Sequence, residues 1–192
     1  MLGDDPPCYM GRMAAPTYLA SVLLATELPA TRAKLPTGQT VEIATVLRSE
    51  RLWTGQVPAS FSSVPNKPAL EFGSQPTWAE FVLLRLLEND GWQGVWVKNW
   101  GGRAFWRDIR EPIELPIAAH ALFRRIEIRT AGHGGGCWDI LTWRGDDMLF
   151  IESKQRGRDR LRSTQLAWLQ SALAEGVRLS AFTIAEWEAA SQ

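Results

Sequence analysis

A chain of 192 residues is long enough for one domain with a real core and short for two. Its 21 basic and 21 acidic residues cancel, which excludes an overall positive field, so nucleic-acid binding has to come from a local basic patch. Cys8 and Cys137 lie far apart without metal-ligand spacing, which excludes a disulfide framework or zinc site and fits a reducing cytoplasm.

The composition, 45% hydrophobic and 22% charged, is that of an ordinary soluble globular protein. Ten tryptophans are unusual. Core packing is the default reading of so many, and stacking platforms for nucleic-acid bases are the alternative.

Residues 1–76 are punctuated by proline, from Pro6-Pro7 to Pro76, which breaks up long helices. The apolar stretch 18–26 fits a short helix or a strand, and is too short to cross a bilayer. Arg12 precedes it, but no small-residue cleavage pattern follows, so neither a membrane partner nor secretion is expected. Residues 40–48 alternate as a strand does. With no catalytic pattern, residues 1–76 read as an N-terminal elaboration packed on a core formed by residues 77–192.

Thr77 and Glu80 have capping-box spacing and open a helix that is apolar around most of its circumference and stops at Asn89-Asp90-Gly91. Residues 92–98 alternate as a strand, Gly101-Gly102 is a turn, and 103–109 form the hairpin partner. A short strand is expected at 126–129, followed by the loop Gly132-His133-Gly134-Gly135-Gly136. Two strands, 137–143 and 148–154, flank Arg144-Gly145-Asp146-Asp147. A helix from 163 to 175 ends at Gly176, a strand follows over 177–184, and a short helix is expected over 185–190. The order predicts an α/β fold, a central mixed β-sheet flanked by helices.

The chemistry concentrates in the second hairpin. With residues 144–147 as its loop, Trp143 pairs with Met148, Leu141 with Phe150 and Asp139 with Glu152, placing two carboxylates opposite each other on one face. Lys154, two residues beyond Glu152, points to that same face. Adjacent like charges call for a cation, and Mg²⁺ or Mn²⁺ suits hard carboxylate oxygens, waters and phosphate. Such an ion promotes phosphodiester hydrolysis, with Lys154 stabilising developing negative charge or orienting the nucleophile. The bland alternative is a solvated Glu–Lys pair, against which stands the buried-strand run Phe150-Ile151 before Glu152.

Gln165 shares a helix face with Leu169 and Ala172, so its amide is directed at the sheet and needs a partner there, unless it bonds its own helix terminus. From Lys154 to Arg162 five basic residues stand against one acid. Arg156, Arg158, Arg160 and Arg162 are placed to clamp backbone phosphates, or to form a solvated loop. His133 sits in a rim loop as a candidate substrate contact.

From Thr77 to Ile184 the chain resembles the PD-(D/E)XK nuclease superfamily, most closely its VRR-NUC and Holliday-junction-resolvase-like branches. The densest match runs from Gly136-Cys-Trp-Asp-Ile-Leu-Thr-Trp through Phe-Ile-Glu-Ser-Lys-Gln. The resemblance implies a restriction-endonuclease-like fold, Asp139 and Glu152 as metal ligands, Glu80 completing the metal set, and Lys154 as catalytic. A glutamine opening the next helix with an aromatic three residues on, here Gln165 and Trp168, belongs to the same pattern. Trp138 stands where the family has proline, so the name-giving dipeptide is absent. For Glu80 the helix-cap reading remains beside the metal-ligand one. The implied activity is hydrolysis of DNA, branched or single-stranded substrates included, and junction-cleaving members work as homodimers. The rivals are a non-catalytic nucleic-acid-binding module and a protein-interaction or accessory subunit.

Overall fold

A computed structural model describes residues 16–63, 67–98, 104–130 and 135–190. Helix α1 (Pro16–Val22) leads into two long antiparallel strands, β1 (Thr26–Lys34) and β2 (Thr40–Glu50). A small hairpin, β3 (Leu70–Phe72) and β4 (Gln75–Thr77), precedes α2 (Ala79–Asn89). Then come β5 (Gln93–Lys98), β6 (Ala104–Asp108), β7 (Glu111–Pro112) and α3 (Ile117–Arg129). The second half adds β8 (Ile140–Arg144), β9 (Asp147–Gln155), α4 (Ser163–Ala174) and β10 (Phe182–Ala189).

Eight strands form one mixed sheet in the order β1-β2-β10-β9-β8-β5-β6-β7. Strand β10 runs parallel to both β2 and β9, and the remaining neighbours are antiparallel. The chain is therefore α/β, with four helices among the described residues flanking a large central sheet. The stretch before residue 77, read from sequence as an addition packed on the core, supplies β1 and β2 to that sheet.

Each face of the sheet carries its own core. On one face α1 and α2 pack with Leu149, Ile151 and Ala185; on the other, α3 and α4 pack with Leu141, Phe150 and Ile184. Strand alternation puts successive side chains on opposite faces. Leu149 and Ile151 thus look toward α2 while Phe150 looks toward α4, and the phase continues into Glu152 and Lys154. Seven tryptophans (Trp78, Trp92, Trp96, Trp106, Trp138, Trp168 and Trp187) are buried in these cores, so packing rather than base stacking accounts for them.

Both predicted helix stops are complete Schellman motifs. Gly91 (φ 84°) donates its N–H to Glu88 O, and Trp92 donates to Leu87 O. Gly176 (φ 85°) and Val177 repeat the pattern on Leu173 and Ala172.

Three local expectations are corrected. Residues 126–129 are the end of α3, not a strand: Ala119, Leu122, Phe123 and Ile126 form a buried stripe at helical spacing that outweighs the local β-branched content. Residues 185–189 extend β10 rather than forming a helix, because parallel pairing with β2 on one side and β9 on the other captures them. The capping box at Thr77 does not form. Thr77 pairs with Leu70 in the β3–β4 hairpin, and α2 starts after an extended Trp78 without a side-chain cap. Among the described residues no helix is long and apolar enough to cross a membrane.

Candidate active site

The β8–β9 hairpin turns through Gly145 (φ 59°) and Asp146, closing with Arg144 opposite Asp147. Its register pairs Trp143 with Met148, Leu141 with Phe150 and Ile140 with Ile151, as the sequence count predicts. Asp139 lies one residue before β8, where the ladder opens, and two side-chain bonds replace the backbone pairing. The Asp139 N–H donates to Glu152 Oε2 at 3.2 Å, and the Ser153 N–H donates to Asp139 Oδ2 at 3.1 Å. On the other side the Val97 N–H donates to Asp139 O at 2.7 Å, so β5 fixes the same residue from behind.

Glu152 is 1% exposed, and Lys154 and Gln165 each 8%. Lys154 Nζ stands 2.7 Å from Glu152 Oε1. Gln165, in the first turn of α4, answers both sequence readings at once. Its Nε2 donates to Glu152 Oε1, while its Oε1 accepts the Arg162 N–H at 2.9 Å and a bond from Lys154 Nζ at 3.3 Å. Trp168, one turn on, is buried against Phe150 and Phe182. Gly136 lets the chain before Asp139 approach the first turn of α4. A Cβ there would meet Thr164 O at 2.3 Å, and its φ of 112° suits glycine.

Glu80, the second residue of α2, is buried, and its charge reaches Asp139. Its Oε1 lies 2.5 Å from Lys67 Nζ, and its buried Oε2 has no hydrogen-bond partner among the described residues. Lys67 escaped sequence analysis; a single lysine in a proline-rich stretch, 13 positions from Glu80, carries no periodic or motif signal. Lys67, Glu80, Ser153, Gln155, Arg158 and Trp187 line a cleft of about 330 Å³.

Burial, then the charges of Glu152 and Glu80, push the Asp139 carboxyl well above its usual range, with Lys67 and Lys154 opposing. Burial raises Glu152 as well, opposed by Lys154 and by its hydrogen bonds with Asp139. Asp139 and Glu152 are thus crowded into a poorly hydrated space, which disfavours their charged forms unless a cation joins them.

The arginine run divides. Arg156 reaches Glu188 at 3.3 Å and Glu186 at 3.8 Å on β10, and Arg158 bonds Gln155 Oε1. Arg160 and Arg162 are exposed, and neither forms an ion pair among the described residues. His133 lies outside the described residues.

The residues fit a hard divalent cation. Carboxylate oxygens are the ligands Mg²⁺ takes, and the unpartnered Glu80 Oε2 is one of them. Among the described residues no group of three His, Cys, Asp or Glu side chains is arranged to hold a metal ion as it stands. Lys67 engages Glu80, while Lys154 and Gln165 engage Glu152. Mg²⁺ commonly uses one or two carboxylates and completes its shell with waters and phosphate, so a pair suffices. Comparison of the chain with protein-family models, curated proteins and solved structures found no match.

Proposed function

We propose that this protein is a metal-dependent nuclease of the PD-(D/E)XK kind, with a restriction-endonuclease-like core nearest the VRR-NUC and Holliday-junction-resolvase branches. The observation that carries the reading is the contact of Asp139 with Glu152 at the opening of the β8–β9 ladder, with Lys154 and Gln165 beside Glu152. Glu80 flanks Asp139 from α2, at the chain position where the family bears its helix glutamate. A bound Mg²⁺ or Mn²⁺ supplies the positive charge that polarises a phosphoryl oxygen and acidifies water.

The chain's own residues do the rest. Asp139 and Glu152 present oxygens on a rigid frame, since each is tied to the other's strand. Lys154 sets an ammonium beside Glu152, where it orients the attacking water and stabilises charge growing on the phosphate. Gln165 fixes the rotamer of Glu152 through its amide, as outer-shell groups do for metal-binding carboxylates. Arg160 and Arg162, exposed beside the site, grip backbone phosphates without reading sequence.

The test is cleavage of plasmid, single-stranded and branched DNA with Mg²⁺ or Mn²⁺, and with EDTA. Cleavage that needs the ion and falls by about 100-fold or more in Asp139→Asn and Glu152→Gln supports the reading. Cleavage indifferent to both substitutions contradicts it. A non-catalytic DNA-binding module has one observation in its favour, the absence of a ready-made three-acid group among the described residues. Salt-sensitive DNA binding without cleavage under any ion would select it.

A further inference from the structure

Lys67 brings an ammonium to the α2 side of the site from the loop before β3, far in sequence from the hairpin acids. Its Nζ lies 2.5 Å from Glu80 Oε1, over the faces of Trp96 and Trp78, at 4.9 and 5.4 Å from their ring centres. The two rings pack edge to face at 5.4 Å inside the core and are almost fully buried. An aromatic face attracts a cation through its quadrupole, more strongly when water is excluded. The position is therefore built for positive charge by two independent features, the carboxylate and the aromatic wall.

We propose that the Lys67 ammonium is the second cation of the nuclease site, filling beside Glu80 the place a second divalent ion would take. This rests on the metal-nuclease reading and adds that the site holds one divalent ion. Charge supports it. With all three acids ionised, as ion binding requires, the carboxylates of Glu80, Asp139 and Glu152 and the ammonium groups of Lys67 and Lys154 leave one net negative charge. One divalent ion turns that into one net positive charge. A second would leave three positive charges in a buried space, which the low local dielectric strongly opposes. In two-metal hydrolases the second ion adds positive charge for the oxygens of the reacting phosphate, and a fixed ammonium supplies charge of the same sign.

The experiment counts Mn²⁺ ions per full-length chain, by calorimetric titration and by the loss of free Mn²⁺ signal in electron paramagnetic resonance. The wild type and K67R are expected to bind one ion, and K67M two, with near-ultraviolet circular dichroism checking that K67M keeps its tryptophan packing. Uptake of two ions by the wild type overturns the proposal, and needs no variant. One ion in a folded K67M, whether bound more tightly or not, overturns it too, leaving Lys67 as a competitor or a packing residue. A wild type that binds no Mn²⁺ removes the metal reading and this inference together, a result distinct from the other two.

Discussion

Gln165 hands its amide to Glu152 while its own carbonyl oxygen is held by the backbone of Arg162, so helix α4 and strand β9 are locked together at the carboxylate. A flexible glutamate is thereby held in one orientation, with Lys154 bonded to both partners.

Glu152 without that amide keeps its lysine but loses its orientation. Gln165→Ala is expected to weaken Mn²⁺ affinity and cleavage by about 10- to 100-fold, the usual cost of removing an outer-shell partner. Titration calorimetry and single-turnover cleavage measure it. Unchanged affinity with an intact fold would assign Gln165 to helix capping alone.

The raised pKa values of Asp139 and Glu152 set a direction for stability. Each acid holds its proton to higher pH in the folded chain than in the unfolded one. Their contribution is therefore full below the ordinary carboxylate range, about pH 4, and is lost as pH rises through the raised values. The metal-free protein is expected to melt at lower temperature as pH rises above that range. Asp139→Asn should flatten the trend, and Mn²⁺ should restore stability on the alkaline side. Scanning calorimetry checks this, and a melting temperature that climbs with pH would refute it.

Arg160 and Arg162 are exposed and outside any ion pair among the described residues, whereas Arg156 leans on Glu186 and Glu188. Removing Arg160 or Arg162 is expected to lower the salt slope of DNA binding by about one for each phosphate no longer gripped, across all sequences alike. Arg156→Ala should change it less, since β10 already neutralises part of that charge. Fluorescence anisotropy at several salt concentrations separates the three.

Gly136 packs against the first turn of α4 where no Cβ fits. Gly136→Ala is expected to cost about 1–3 kcal/mol in backbone strain, and more if Thr164 cannot move. Urea unfolding measures the loss. Because the displaced turn carries Gln165, cleavage should fall further than the stability change alone explains.

Sequence reasoning could place the central candidate residues together because their arrangement is local. Asp139, Glu152 and Lys154 lie within one hairpin whose turn is marked by Gly145 and whose alternation sets both register and face. Glycine stops on α2 and α4 were equally legible, since Gly91 and Gly176 are needed for left-handed backbone. What depends on distant contacts was not. The isoleucines near the end of α3 suggest a strand until the opposite side of the helix is seen to be buried. The Ala-Glu-Trp-Glu run of β10 favours a helix until β2 and β9 claim it from both sides. Strand β1 carries a proline and is largely exposed at the sheet edge, so it lacks the alternation that reveals a strand. Lys67 and Glu80 come within electrostatic reach of Asp139 only through tertiary packing, with α2 lying over β5 and β8.

The central claim is that Asp139 and Glu152 are the ligands of a divalent ion. Crystals soaked in Mn²⁺ and measured near the manganese absorption edge test it most directly. The account predicts an anomalous peak in contact with oxygens of both carboxylates, lost in Glu152→Gln crystals soaked identically. Mn²⁺ sites found only elsewhere, or no peak at a concentration that supports cleavage, would contradict it.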